Sequence, residues 1–327
     1  LSTNTYVPDG PTKLEMFRKM ALLKANDERS RKVITTGRLI MPYYSYRGQE
    51  AIPAAMGVVL KDTDYLCTIY RGIHDMLAKG LPLKSLWAEI AGRVEGTCKG
   101  KGGPMHLTDV EHGVMVTTGI VGASMPIANG LAWASQLRGE DRVAVATFGD
   151  AASNIGAFHE ALNLASVWKL PTIFVCQNNL WGEHTAYEKS TSAKRIADRA
   201  AAYCMPGICV DGNDPVELYG AFCEAVARAR AGEGPTLIEA VTFRFQGHVF
   251  GDASGYIPKE EMEAAKARDP YPLFRARLIA EAIATEEELS AIEAAHEASL
   301  DEAVEFALAS PFPAAEEACT DVYGEVA

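Results

Sequence analysis

Between residues 11 and 35, Leu14, Met16, Phe17, Met20, Leu22 and Leu23 recur near helical spacing, which predicts an amphipathic helix. An Ala/Gly-rich apolar segment from Gly48 to Leu60 predicts a second helix that could pack closely. Residues 92–119 break this regularity. Gly92, Gly96, Gly100, Gly102, Gly103, Gly113 and Gly119 interrupt any repeating pattern, and the segment reads as one long loop, a feature usually tied to function or disorder. A short apolar run, Val143–Phe148, then ends in Gly149-Asp150 and predicts a buried strand. Residues 154–168 predict a helix, and Pro171–Cys176 a second strand ending in Gln177-Asn178-Asn179. Strand, helix and strand at this spacing make a βαβ unit with parallel strands and a right-handed crossover. A helix near 214–231 and a strand at 235–243 repeat the pattern, and beyond Pro258 the chain reads as helical. There Thr285 and Glu288 form a capping box ahead of a face carrying Leu289, Ile292, His296, Ala303 and Ala307.

This order predicts an α/β fold, a parallel sheet with helices on both faces and a helical C-terminal extension. Residues 1–40 are expected to form a helical arm, 41–257 the α/β domain and 258–327 the extension. Length is compatible with that plan, because 327 residues can bury one large core with appendages. The net charge of -12 argues against general nucleic-acid binding, and no apolar run reaches the roughly 20 residues of a membrane helix. Cys67, Cys98, Cys176, Cys204, Cys209, Cys223 and Cys319 are odd in number and scattered without a CxxC pair, which favours a reducing, cytoplasmic setting. The first ten residues lack the basic and apolar blocks of a secretory signal, while a start at Leu1 leaves room for a trimmed targeting segment.

In an open parallel sheet, ligands bind beyond the carboxyl ends of the strands. Asp150 and Asn179 follow the two strands of the βαβ unit, and a carboxylate with a carboxamide oxygen suits a hard cation such as Mg²⁺ shared with a phosphate. Ala151-Ala152-Ser153-Asn154 opens the crossover helix, whose free N–H groups would face the same phosphate. Taken alone, these residues are more simply read as a strand-end turn and a cap. The glycine-rich run fails as a nucleotide P-loop, since Glu95 stands at the first glycine and Gly102 at the Ser/Thr, and no GxGxxG follows a predicted strand.

Several blocks together resemble the α subunits of the thiamine-diphosphate-dependent first component of pyruvate, acetoin and branched-chain 2-oxo acid dehydrogenase complexes. Gly149-Asp150 with Asn178-Asn179 resembles the family's metal and diphosphate motif. Lys99-Gly-Lys-Gly-Gly-Pro-Met-His106 resembles its glycine-rich signature. Tyr70-Arg71-Gly72 with His74, Gly119-Ile-Val-Gly-Ala123, Gln49-Glu-Ala51, Trp168-Lys-Leu-Pro171 and Arg244-Phe-Gln-Gly-His-Val-Phe-Gly-Asp252 complete the order across residues 40–255.

By that resemblance Asp150, Asn179 and the carbonyl of Trp181 hold Mg²⁺, and Tyr70 and Arg71 contact the diphosphate. Gly119 and Val121 lie on the cofactor's pyrimidine side, Ala151 and Ala152 line the phosphate end, and His248 is the catalytic histidine of the active-site loop. The resemblance also implies cleavage of a 2-oxo acid or acetoin with transfer of the acyl group to a lipoyl-bearing acyltransferase component. It further implies a separate β subunit, in an α2β2 heterotetramer, that supplies the carboxylate for the other end of the cofactor. Two readings compete: a non-catalytic α-like assembly subunit, and one half of a split transketolase.

Three departures matter. Ala151 replaces the family's usual glycine, which is tolerable where φ stays negative. Val249 replaces the serine that carries regulatory phosphorylation in the mammalian pyruvate enzyme, and Tyr44 occupies the place of a substrate-side histidine. His106 and His74 could equally be structural histidines, and His159 is expected to be structural.

Overall fold

Asp9 caps the first helix by accepting from the Thr12 amide, and Pro11 occupies a first-turn position that needs no amide donor. In the computed structural model, which describes residues 6–324, this helix α1 runs Gly10–Thr35 and is followed by α2 (Ala51–Val59). The chain then forms β1 (Tyr65–Ile69), α3 (Ile73–Lys79), α4 (Leu83–Ile90), β2 (Val114–Thr118), α5 (Ser124–Arg138) and β3 (Ala144–Gly149). A 3₁₀ turn at Asp150–Asn154 leads into α6 (Gly156–Trp168) and β4 (Thr172–Asn178). After a small hairpin of β5 (Trp181–Gly182) and β6 (Thr185–Ala186) come α7 (Tyr187–Ser190), β7 (Gly207–Asp211), α8 (Pro215–Arg230) and β8 (Thr236–Val241). Helices α9 (Lys259–Lys266), α10 (Pro270–Ala280) and α11 (Glu286–Ala309) follow, the last opened by the Thr285–Glu288 capping box.

Six strands form one all-parallel sheet in the order β2-β1-β3-β4-β8-β7. Period-two alternation sends successive residues to opposite faces. Leu66, Val145, Ile173 and Val175 therefore join a core with α1, α2, α3, α8 and α10, while Cys67, Ala146, Phe148, Phe174 and Cys176 join one with α5 and α6. Burial on both faces explains why the strands read as continuous apolar runs.

The 92–119 segment is not one uninterrupted loop, because its end forms β2 beside β1. Val114-Met-Val-Thr-Thr is short and enclosed by glycines, so its pairing comes from β1 rather than from a local signal. The rest of the segment is held by a side chain. Buried Glu89 accepts from the amides of Cys98 (2.7 Å), Gly100 (2.9 Å), Gly102 (2.7 Å) and Gly103 (3.1 Å), folding the glycine-rich run around one carboxylate.

Candidate active site

The strand order reverses between β1 and β3, and a cavity of about 220 Å³ opens there beyond the carboxyl ends of β1, β3 and β4. Tyr70 and Arg71 enter it directly after β1. Asp150, Ala151 and Ala152 line it from the turn after β3, and Asn179 and Trp181 from the end of β4. Val121 reaches it from the segment between β2 and α5, and His248 from the loop after β8. Gly119 is outside this lining; a side chain there would first meet the His106 ring, at 3.5 Å.

Register explains why Asp150 and Asn179 meet. Gly149 pairs with Gln177 across β3 and β4, so the residues following each partner emerge side by side. Asp150 is buried, and its Oδ2 has no hydrogen-bond partner among the described residues. Burial pushes its carboxyl up to about 6, against the pull of Arg244 and Arg71. A buried acceptor without a partner is costly, and a bound cation would satisfy it. Among the described residues no cluster of three or more His, Cys, Asp or Glu could hold a metal, so a cation here would rely on one carboxylate supplemented by amide and backbone oxygens. The backbone at Ala151 is not in the left-handed region, so its methyl group introduces no strain of that kind.

Positive charge surrounds this carboxylate. Arg71 is buried and donates to the carbonyls of Ser45 and, at 3.3 Å, His248. Arg244, fully buried, donates to the carbonyls of Glu183 and Gln246 and to the Tyr256 hydroxyl. Neither guanidinium pairs with a carboxylate among the described residues. Arg71 in the lining, with the charge of Arg244 also felt at Asp150, leaves the cavity suited to an anion.

Burial, reinforced by Arg71 and Arg244, lowers His248 to about 4, so the ring is neutral near pH 7. Its Nδ1 stands 3.4 Å from Arg71 Nη2, a group that only donates, which leaves the ring proton on Nε2. Asp252 secures the loop by accepting from the His248 amide (2.7 Å), the Ser254 amide (2.9 Å) and the Tyr256 hydroxyl (2.7 Å). Tyr44 packs edge-on against Tyr70 and His248, with ring centroids 4.5 and 5.4 Å apart. His74, by contrast, is buried beneath the cavity between the Arg71 carbonyl and Gln177, and His159 contacts the Tyr203 hydroxyl. Sequence reasoning did not assign Gln177, Gly182 or Glu183 to the cavity, quoted Gln49 without a role, and gave none to Arg244, whose charge acts on Asp150 and His248 from outside the lining. Arg244 was accessible as an arginine next to the histidine loop; the others carry no sequence signal of their own.

The dehydrogenase E1 component family model matches residues 18–316, nearly the whole described chain. The chain belongs to that family. The E1 chain is 41% identical over 311 residues to the α subunit of the acetoin:2,6-dichlorophenolindophenol oxidoreductase of Bacillus subtilis, covering 95% of this chain and 93% of that one. The corresponding subunit of Cupriavidus necator is 38% identical, over 96% and 95% of the two chains. The chloroplastic pyruvate dehydrogenase E1 component subunit alpha-3 of Oryza sativa is 35% identical, over 95% and 76%. The family's cofactor is thiamine diphosphate, with Mg²⁺ general to the family.

Proposed function

We propose that this E1 chain is the α subunit of an acetoin-cleaving, thiamine-diphosphate-dependent dehydrogenase and holds the diphosphate end of the cofactor through Mg²⁺. The unpartnered Oδ2 of buried Asp150, in a cavity also lined by the buried guanidinium of Arg71, carries the reading. Asp150, the Asn179 carboxamide oxygen and the Trp181 carbonyl are the protein ligands of the cation. Tyr70, Arg71 and the amides of Ala151 and Ala152 bind diphosphate oxygens. When bound, the cofactor supplies the electron sink for cleaving a carbon–carbon bond beside a carbonyl. The neutral His248 ring offers its Nε2 proton to an anionic oxygen, and Asp252 keeps the loop from swinging it away.

Tyr44 and Tyr70 give the substrate side an aromatic wall that fits uncharged acetoin, and Arg71, 5.9 Å over the Tyr44 ring, is engaged by the diphosphate in this reading. The acetoin-named relatives at 41% and 38% identity point the same way. A β subunit would complete the site from the side where Ile120 and Val121 stand exposed. Farther along, the exposed side chains of Trp133, Leu137, Leu164, Val167 and Trp168 form an apolar face of α5 and α6 that suits subunit contact. The larger assembly in this reading is α2β2, passing the acyl group to a lipoyl-bearing acyltransferase in the cytoplasm. All seven cysteines are free, and no described helix is long and apolar enough to cross a membrane.

Calorimetric titration of the α/β complex with thiamine diphosphate and Mg²⁺ tests the site. Asp150→Ala should weaken binding by at least about 10²-fold; unchanged affinity would overturn the metal assignment. Dye reduction by the unmodified complex should favour acetoin over pyruvate in kcat/KM, and the reverse preference would remove the substrate assignment.

A further inference from the structure

We infer that Gln49 is a positioning residue for Asn179, fixing which end of that carboxamide faces the cation; the inference rests on the metal site proposed above. Carboxamide oxygen and nitrogen differ little in size, so hydrogen bonds must decide their orientation. In Asn179 the decision begins at the backbone. The Trp181 amide, which can only donate, lies 3.3 Å from Asn179 Oδ1 and fixes the oxygen on that side. Asn179 Nδ2 therefore points the other way and donates to Gln49 Oε1 at 3.3 Å. Gln49 is fully buried, and Asn179 is the only protein partner of its side chain among the described residues; Nε2 has none.

Gln49 is itself held firmly. It lies two residues before α2, with its amide donating to the Tyr46 carbonyl (3.0 Å). Neighbouring Glu50 accepts from the Gly48 amide (3.0 Å) and from Arg47 (3.0 Å). Arg47 in turn makes a two-pronged contact with Asp269. The segment before α2 thus fixes the place of the Gln49 carboxamide at the end of β4, and pairing with Asn179 Nδ2 sets its oxygen toward that residue. Both bonds to the Asn179 amide are long, so neither alone would hold it strongly. Without Gln49 Oε1, the amide could turn and present a donor to the cation.

The test uses the α/β complex, thiamine diphosphate and Mn²⁺, reading binding by calorimetry and the bound ion by electron paramagnetic resonance. Gln49→Leu, which keeps bulk but removes the acceptor, should weaken metal-dependent cofactor binding by roughly 10–100-fold, the range for losing an outer support of a metal ligand. Gln49→Glu, which keeps an acceptor for Asn179 Nδ2, should recover most of that loss. In an Asn179→Ala background Gln49→Leu should cost nothing further, because the residue through which it acts is gone. Equal losses in the Leu and Glu variants, or additive losses with Asn179→Ala, would overturn the positioning role. If Asn179→Ala alone leaves metal-dependent binding intact, the metal site itself is wrong. Melting of each variant without cofactor separates these results from a folding defect.

Discussion

Glu89→Gln would remove half of the scaffold beneath the glycine-rich run. The carboxylate receives four backbone N–H groups, two on each oxygen, at 2.7–3.1 Å. A carboxamide of the same shape offers one oxygen. Whichever way it turns, its NH₂ faces either the Cys98 and Gly100 amides or the Gly102 and Gly103 amides, donor against donor. Each buried donor stranded in this way costs about 1–3 kcal/mol, so two cost roughly 2–6 kcal/mol. Because these amides are only partly buried, water can rescue some of the loss, and roughly 2–3 kcal/mol is the expected result. The loop has little room to adapt: a Cβ at Gly96 would lie 2.3 Å from Glu89 Oε2, and one at Gly102 would lie 2.2 Å from the His106 carbonyl. Urea unfolding would measure the loss, and hydrogen exchange at residues 98–103 would place it. A change below about 0.5 kcal/mol with unaltered exchange would refute the claim that one carboxylate folds this segment.

Two further outcomes follow from local geometry. A Cβ at Gly182 would lie 2.6 Å from the Ala151 methyl, so Gly182→Ala should weaken cofactor binding, and Gly182→Ala with Ala151→Gly should restore it; failure of the double variant to recover in a binding titration would mean the two positions do not share that space. His248 is lowered to about 4 in the folded chain against about 6.5 when unfolded. The unfolded chain therefore gains a proton first as pH falls, so this ring draws stability down between about pH 6.5 and 4 and contributes nothing above. Substituting His248→Leu should flatten the acid side of a urea-derived stability profile, whereas parallel profiles would contradict the depressed value.

The βαβ unit at 143–178 was legible because fully buried parallel strands are apolar throughout and stop at polar turn residues. The same rule did not reveal β1 or β7. Tyr65-Leu-Cys-Thr-Ile and Gly207-Ile-Cys-Val-Asp are only five residues each; turn residues flank both, but runs this short carry little pattern of their own and depend on sheet neighbours. Helix α5 was not among the expected elements; it contains Pro126 and Gly130, residues that disfavour helix interiors, but Pro126 falls in the first turn, where an amide is dispensable. In the site, residues at strand ends were readable from position and motif. Gln49 and Glu183 were given no role, because their parts depend on distant segments brought together by the sheet, whereas Arg244 was missed although it stands beside the histidine loop.

What distinguishes the cavity from the rest of the core is that its energetic deficits point the same way. Leu180 and Glu183 hold left-handed backbone, with φ of +67° and +54°, on either side of Trp181-Gly182. Side chains rarely adopt that conformation without compensation. Among the described residues, Asp150 Oδ2 and Gln49 Nε2 are buried without partners, one an acceptor and the other a donor, and Arg71 and Arg244 are buried without counter-ions. A lone cation would satisfy Asp150 but deepen the positive excess from the arginines. A lone anion would answer the arginines and Gln49 but repel Asp150. Only a polyanion bound together with a divalent cation relieves all four at once, which is why cofactor and metal should bind this chain cooperatively rather than independently.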